Sequence, residues 1–163
     1  MRSDLPKVCH PVAGRPMVCA VIDACIEAGC DRIVLVVGYK QEAVREAVAG
    51  YTGELGDRIR FAIQDEQRGT GHAVKCALPS VEDLPAETPV FVLCGDGPLI
   101  RRSTLSVILD RHAGSAAHAT LATAVLDDPS GYGRIKRDDR GGFLRIVEQK
   151  NATPDELAIR EVN

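Results

Sequence analysis

The 163-residue sequence predicts a doubly wound α/β fold with a small antiparallel insert in its C-terminal third. Three observations carry this prediction. Apolar, β-branched runs alternate with segments of helical period as far as residue 113. The runs are apolar on both faces, as the strands of a covered parallel sheet are. Beyond residue 118 the helical pattern gives way to short strands separated by turns.

Each element has its own signal. Over residues 16–28, Met17, Val18, Val21, Ile22, Cys25 and Ile26 recur at helical spacing, with Pro16 at the start and Gly29 as the stop. "RIVLVVG" at 32–38 is a strand ending in glycine, and "QEAVREAVAG" at 41–50 supplies the next helix. "RIRFAIQ" at 58–64 alternates as a second strand. A helix follows from Thr70, a residue type that suits an N-cap, and runs to Pro79. "PVFVLCGD" at 89–96 reads as a third strand and 102–113 as another helix. Strands are then expected at 118–126, 133–138 and 143–150, the last two joined by a hairpin turn in "RDDRGGF". A short helix at 154–158 and the start of a strand in "REVN" complete the pattern.

Composition narrows the function classes. Hydrophobic residues make up 45% and charged residues 26%, the balance of a globular domain. The net charge is −3 and there is no long basic run, so nucleic acid is not an expected partner. No apolar stretch approaches the roughly 18 residues of a membrane span and no signal-peptide core follows the N-terminal Arg2, which places the chain in the cytoplasm with no membrane partner. The cysteines (Cys9, Cys19, Cys25, Cys30, Cys76 and Cys94) form no C-x-x-C pair and no zinc-spaced cluster. Cys19, Cys25, Cys76 and Cys94 stand where small apolar residues would pack, so they read as free core thiols.

In doubly wound sheets ligands bind beyond the carboxyl ends of the strands, and chemistry is sought there. Asp96 follows an apolar run and a glycine, the position of a carboxylate for magnesium or of an ordinary turn Asp in "GDGP". "QDEQRGTGHA" puts Gln64 at a strand exit, with Gly69, Thr70 and Gly71 opening a helix. An amide can exchange paired hydrogen bonds with a uracil edge, and glycines admit close backbone approach, although an N-cap turn has the same residues. Lys7, stiffened by Pro6, could offset phosphate charge or be simply solvated. "DPSGYGRI" sets Gly131 and Gly133 around Tyr132, a turn open to a sugar ring. Glu148 and Lys150, two apart on an expected strand, share a face suited to hydroxyl and phosphate contacts or to an edge ion pair.

Taken in order, "LPKVCHPVAGRPM", "EQRGTGHAV", "VLCGDGPLI", "DPSGYGRI", "IVEQKNATP" and "EVN" resemble the uridyltransferase domain of the bacterial bifunctional N-acetylglucosamine-1-phosphate uridyltransferase and glucosamine-1-phosphate N-acetyltransferase family. The resemblance runs from Leu5 to Asn163. It implies a Rossmann-like, GT-A-like nucleotidyltransferase sandwich that joins UTP to N-acetylglucosamine 1-phosphate, with Mg2+ as cofactor, and releases pyrophosphate. Position by position it makes Lys7 the phosphate lysine and Asp96 the metal aspartate. Gln64, Gly69 and Thr70 fall on uridine-binding positions, and Gly133, Glu148 and Asn163 on those that hold the acetylated sugar. Against the family pattern Met1 stands just after a strand and glycine-rich phosphate loop, so residues 1–163 are expected to form a partial nucleotidyltransferase domain without its first strand and that loop, without its C-terminal part and without the acetyltransferase β-helix. A non-catalytic truncated remnant or interaction module of the same fold, or a nucleotidyltransferase for another sugar 1-phosphate, are the alternatives.

Overall fold

A computed structural model describes residues 3–163, which form two compact units, one ending at Leu109 and one spanning Asp110–Asn163. In the first unit a 3-10 turn at Lys7–Cys9 leads into a hairpin of β1 (Pro11–Val12) and β2 (Arg15–Pro16). Ala13 and Gly14 close it with φ of 51° and 81°, the paired positive values of a two-residue hairpin turn. Helix α1 (Met17–Glu27) buries Met17, Val18, Cys19, Val21, Ile22, Ala24 and Cys25. It ends as the sequence predicts. Gly29, at φ 84°, donates its N–H to the Ile26 carbonyl, and the Cys30 N–H reaches Cys25, a Schellman ending.

Strands β3 (Ile33–Val37) and β4 (Ile59–Ile63) pair in parallel, Ile33 opposite Ile59 and Val37 opposite Ile63, so their carboxyl ends share one edge. The helix expected at 41–50 divides into α2 (Gln41–Ala47) and α3 (Ala49–Leu55) at Val48, whose φ of −108° breaks the spiral. The break is a packing device. Val48 is fully buried and joins Val18, Cys19, Ile22 and Ile59 in the main core cluster. Each such aliphatic side chain contributes roughly 1.5–3 kcal/mol on burial. The Cys19 thiol donates to the Ala47 carbonyl at 3.4 Å, which satisfies an orphan group at the end of α2. Cys9, Cys19 and Cys25 are buried, but Cys94 is exposed, contrary to its expected place in the core.

Helix α4 (Thr70–Ala77) is present, but Gly69 rather than Thr70 takes the N-cap position, and no side chain caps it. The stretch at 89–96 is not a strand. Strand structure is a relation between neighbours, and this segment finds no ladder partner among the described residues, so Val90 and Val92 stay exposed. Helix α5 (Arg102–Ala113) follows as expected.

The second unit is an antiparallel sheet ordered β5 (Ala124–Val125), β8 (Glu161–Val162), β6 (Arg134–Arg137), β7 (Phe143–Val147). Only Ala124–Val125 of the strand expected at 118–126 forms, because β8 offers it two residues of ladder. The β6–β7 hairpin closes as predicted. The Asp138 carboxylate accepts the N–H groups of Arg140 and Gly142 at 2.9 and 2.7 Å, and Gly141 supplies φ 82°. The chain leaves the ladder after Val147, so Glu148 and Lys150 lie in a 3-10 turn region rather than on one strand face. Helix α6 (Pro154–Leu157) begins in a reciprocal capping box between Thr153 and Glu156. The Glu156 side chain, 6% exposed, also accepts from Lys136 at 2.7 Å and Arg145 at 2.9 Å, which ties α6 to the hairpin.

Candidate nucleotide and sugar sites

In the first unit the extended segment ending at Gly95 and Asp96 lies against the turn that carries Lys7. A Cβ on Gly95 would stand 3.2 Å from Val8 Cγ1, tighter than ordinary packing, so the missing side chain is what permits the approach. It brings Lys7 Nζ to 2.5 Å from Asp96 Oδ2, with side chains 63% and 29% exposed. Lys7 donates to the carboxylate and holds it below the ordinary Asp range, while Asp96 raises the ammonium's own pKa. Lys7 is thus paired with a carboxylate while most of its side chain stays in solvent.

Gln64 follows β4 and stays in register, its N–H donating to the Val37 carbonyl at 2.7 Å. Gly38 lies so close to this point that a Cβ there would fall 2.7 Å from the Gln64 carbonyl oxygen. The Gln64 side-chain Nε2 donates to the Gly69 carbonyl at 3.1 Å and sits 3.1 Å from His72 Nδ1. Gly69 has φ 94°, a conformation that glycine adopts readily, and Thr70 opens α4 beside it. The structure therefore joins Gln64, Gly69 and Thr70 at one strand exit and helix start. His72 belongs to the same cluster and was not among the predicted binding residues. Its signal in the sequence was its place in the first turn of α4, two positions after Thr70.

In the second unit, register does the assembly. Arg134 pairs with both Val147 and Val162, which puts Gly133 beside Asn163 at the end of the β6–β8 ladder, while Glu148 follows Val147 where the chain has left its ladder with β6. The structure thus brings Gly133 and Asn163 into contact and leaves Glu148 in the turn after β7, next in sequence to Arg134's ladder partner. The contact is close: the Asn163 N–H donates to the Gly133 carbonyl at 3.4 Å, and a Cβ on Gly133 would lie 2.5 Å from Asn163 Oδ1. Next to them is an open recess of about 340 Å³ lined by Ala122, Thr123, Ala124, Leu126, Tyr132, Val162 and Asn163.

Sequence reasoning missed the brace behind this edge. Gln149 Oε1 accepts from the Gly131 N–H and from Arg134 Nη2, and Arg134 Nη1 donates to the Tyr132 carbonyl. Arg134 is only 2% exposed. It sits in the quoted "GYGRI" but looks like an ordinary surface arginine until β6 turns it inward.

Among the described residues no cluster of three or more His, Cys, Asp or Glu side chains could cage a metal alone. Asp96 by itself still fits magnesium, which takes one or two carboxylates and fills its other positions with water and substrate phosphates. No helix among the described residues is long and apolar enough to cross a membrane.

Comparison with known proteins adds family and fold. The family model described as nucleotidyl transferase matches residues 2–158. The bifunctional protein GlmU of Heliobacterium modesticaldum is 49% identical over 163 residues, all of this chain and 34% of that protein. GlmU of Paraburkholderia xenovorans is 50% identical, again over the whole chain and 34% of its own length. The chain thus spans about a third of the length of these curated relatives. The crystal structure of HddC from Yersinia pseudotuberculosis superimposes with a TM-score of 0.67 at 22% identity, covering 91% of this chain and 62% of that one, a likeness of fold.

Proposed function

The chain belongs to the nucleotidyl transferase family, and from that premise we propose that it contributes the uridyl-transfer site that makes UDP-N-acetylglucosamine from UTP and N-acetylglucosamine 1-phosphate. The observation that carries this reading is the close contact of Gly133 with Asn163 at one sheet end, in a chain whose relatives named GlmU are identical at about half of its positions. That degree of likeness across the whole chain favours a catalytic domain over a non-catalytic remnant. Work on small nucleotides and sugar phosphates also agrees with a location in the cytoplasm.

The residues divide the work by chemistry. Gln64, Gly69 and Thr70 bind the uridine half, the amide and the bare backbone meeting the base and ribose. Lys7 offsets negative charge on the phosphates, and its raised pKa keeps it cationic across the neutral range. Asp96, held ionised by its lysine, would hold the magnesium ion, which supplies charge neutralisation on the phosphates when bound. Glu148 accepts hydrogen bonds from sugar hydroxyls, and Asn163 can both donate and accept at the acetamido group. Gly133 leaves room for that amide. An oxygen of the sugar phosphate attacks the α-phosphorus of UTP in line. The new P–O bond forms as the bond to the β-phosphate oxygen breaks, and pyrophosphate leaves with that electron pair. Positioning and charge neutralisation suffice, with no protein nucleophile.

The test is pyrophosphate release in the presence of UTP, N-acetylglucosamine 1-phosphate and magnesium. Release should require all three and fall on the order of 100-fold in Asp96→Ala. Release that ignores the sugar phosphate, or survives the substitution intact, contradicts the reading.

A further inference from the structure

We propose that His72 is a positioning residue that fixes the orientation of the Gln64 side-chain amide and thereby makes the base site select uracil over cytosine. The inference rests on the uridine-binding reading of Gln64 above and extends it to a residue outside that set.

The argument is one of hydrogen-bond inventory. A primary amide has two N–H donors on nitrogen and an acceptor oxygen. At Gln64 one N–H goes to the Gly69 carbonyl at 3.1 Å, which can only accept. The other faces His72 Nδ1 at the same distance. For that contact to be a hydrogen bond, Nδ1 must carry the lone pair and the ring proton must reside on Nε2. Cys76 Sγ, one helical turn on, lies 3.9 Å from Nε2 and 4.0 Å from Nδ1 and so favours neither tautomer, which leaves the Gln64 contact to set it. Both Gln64 donors are then consumed within the protein. Oε1 accepts from no group among the described residues and is the atom left for a ligand.

An amide locked with its oxygen outward accepts a ring N–H. Uracil presents one at N3, whereas cytosine presents a lone pair there, so acceptor would face acceptor. Without the histidine only the Gly69 contact opposes rotation. A flipped amide offers Nε2 to cytosine, and discrimination is lost. His72 touches no part of the base in this account and acts only through Gln64.

Two variants separate this role from simple packing. His72→Phe keeps the ring but deletes the acceptor, and His72→Asn restores an acceptor oxygen near the position of Nδ1. The readout is equilibrium binding of UTP and of CTP, each with magnesium, to the chain, with circular dichroism to verify folding. We expect the UTP:CTP affinity ratio to fall about 10-fold in His72→Phe, the value of one hydrogen bond, and to recover in His72→Asn. An unchanged ratio in His72→Phe overturns the role of His72 while leaving the proposed function standing. A wild-type chain that binds neither nucleotide overturns the function reading and this inference with it. Nitrogen-15 NMR of the free chain gives a check that needs no nucleotide: His72 should carry its proton on Nε2, and a proton on Nδ1 overturns the inference.

Discussion

Lys7 and Asp96, far apart in the chain, meet as an ion pair of 2.5 Å where a loop and the end of an extended segment converge. Each is the obvious partner of something else: a phosphate for the ammonium, a metal for the carboxylate. The pair keeps both groups ionised and aimed at one place, so a nucleotide arriving with its metal exchanges one set of opposite charges for another.

This arrangement predicts a separation of function from stability. Exposed ion pairs contribute little to folding, so Lys7→Ala should leave the thermal midpoint almost unmoved. The same substitution should lower pyrophosphate release on the order of 100-fold by removing charge stabilisation from the phosphates. A midpoint that falls in step with activity would mean that the pair is structural.

Gly133→Ala should damage the second unit sterically. The new methyl would lie 2.5 Å from Asn163 Oδ1 and 2.8 Å from Ile146 Cγ2, so the Asn163 amide must swing away and the β-branched Ile146 side chain must give. Overpacking of this kind costs about 1–3 kcal/mol. Urea unfolding should report that loss, and binding of N-acetylglucosamine 1-phosphate should weaken more than binding of UTP. An unaltered urea midpoint would show that the edge is looser than described.

Acid should unfold the second unit through two glutamates. Lys136, the Thr153 N–H and Arg145 pull Glu156 down to about 2, and Arg137 with Thr123 does the same for Glu161, against an ordinary value of 4.5. A carboxylate whose pKa is lower folded than unfolded gives its full stabilisation above the unfolded value and loses it as pH falls through the folded one. The urea midpoint should therefore decline between about pH 4.5 and 2. Glu156→Gln keeps an acceptor for the capping box but cannot titrate, and should flatten that decline. A profile that stays equally steep in Glu156→Gln would assign the acid sensitivity elsewhere.

What could be read from the sequence were properties that single segments own. The apolar period of α1, the β-branched runs of β3 and β4, the turn chemistry around Gly141 and the short helix beginning at Pro154 are local, and the structure repeats them. What could not be read were relations. Residues 89–96 have a strand's composition but no strand's partner among the described residues. Val48 looks like one more helical valine, yet it is the point where two helices part to let it into the core. The candidate site divides the same way. Its individual residues were legible from their motifs, whereas the Lys7–Asp96 contact, the Gln64–His72 contact and the inward turn of Arg134 depend on distant chain meeting in space.

The edge that joins Gly133 to Asn163 has a consequence for how this gene can vary. Because Gly133 and Asn163 are brought together by ladder register, the number of paired residues in each strand is a ruler. Substitutions at the hairpin tip leave the ruler intact, but deletion of a single residue within β6 or β7 would shift the register and turn the partners to the opposite face. Length polymorphism in this stretch should accordingly be confined to the tip at 138–142 and to the connection around α6, where a local change leaves the pairing count untouched.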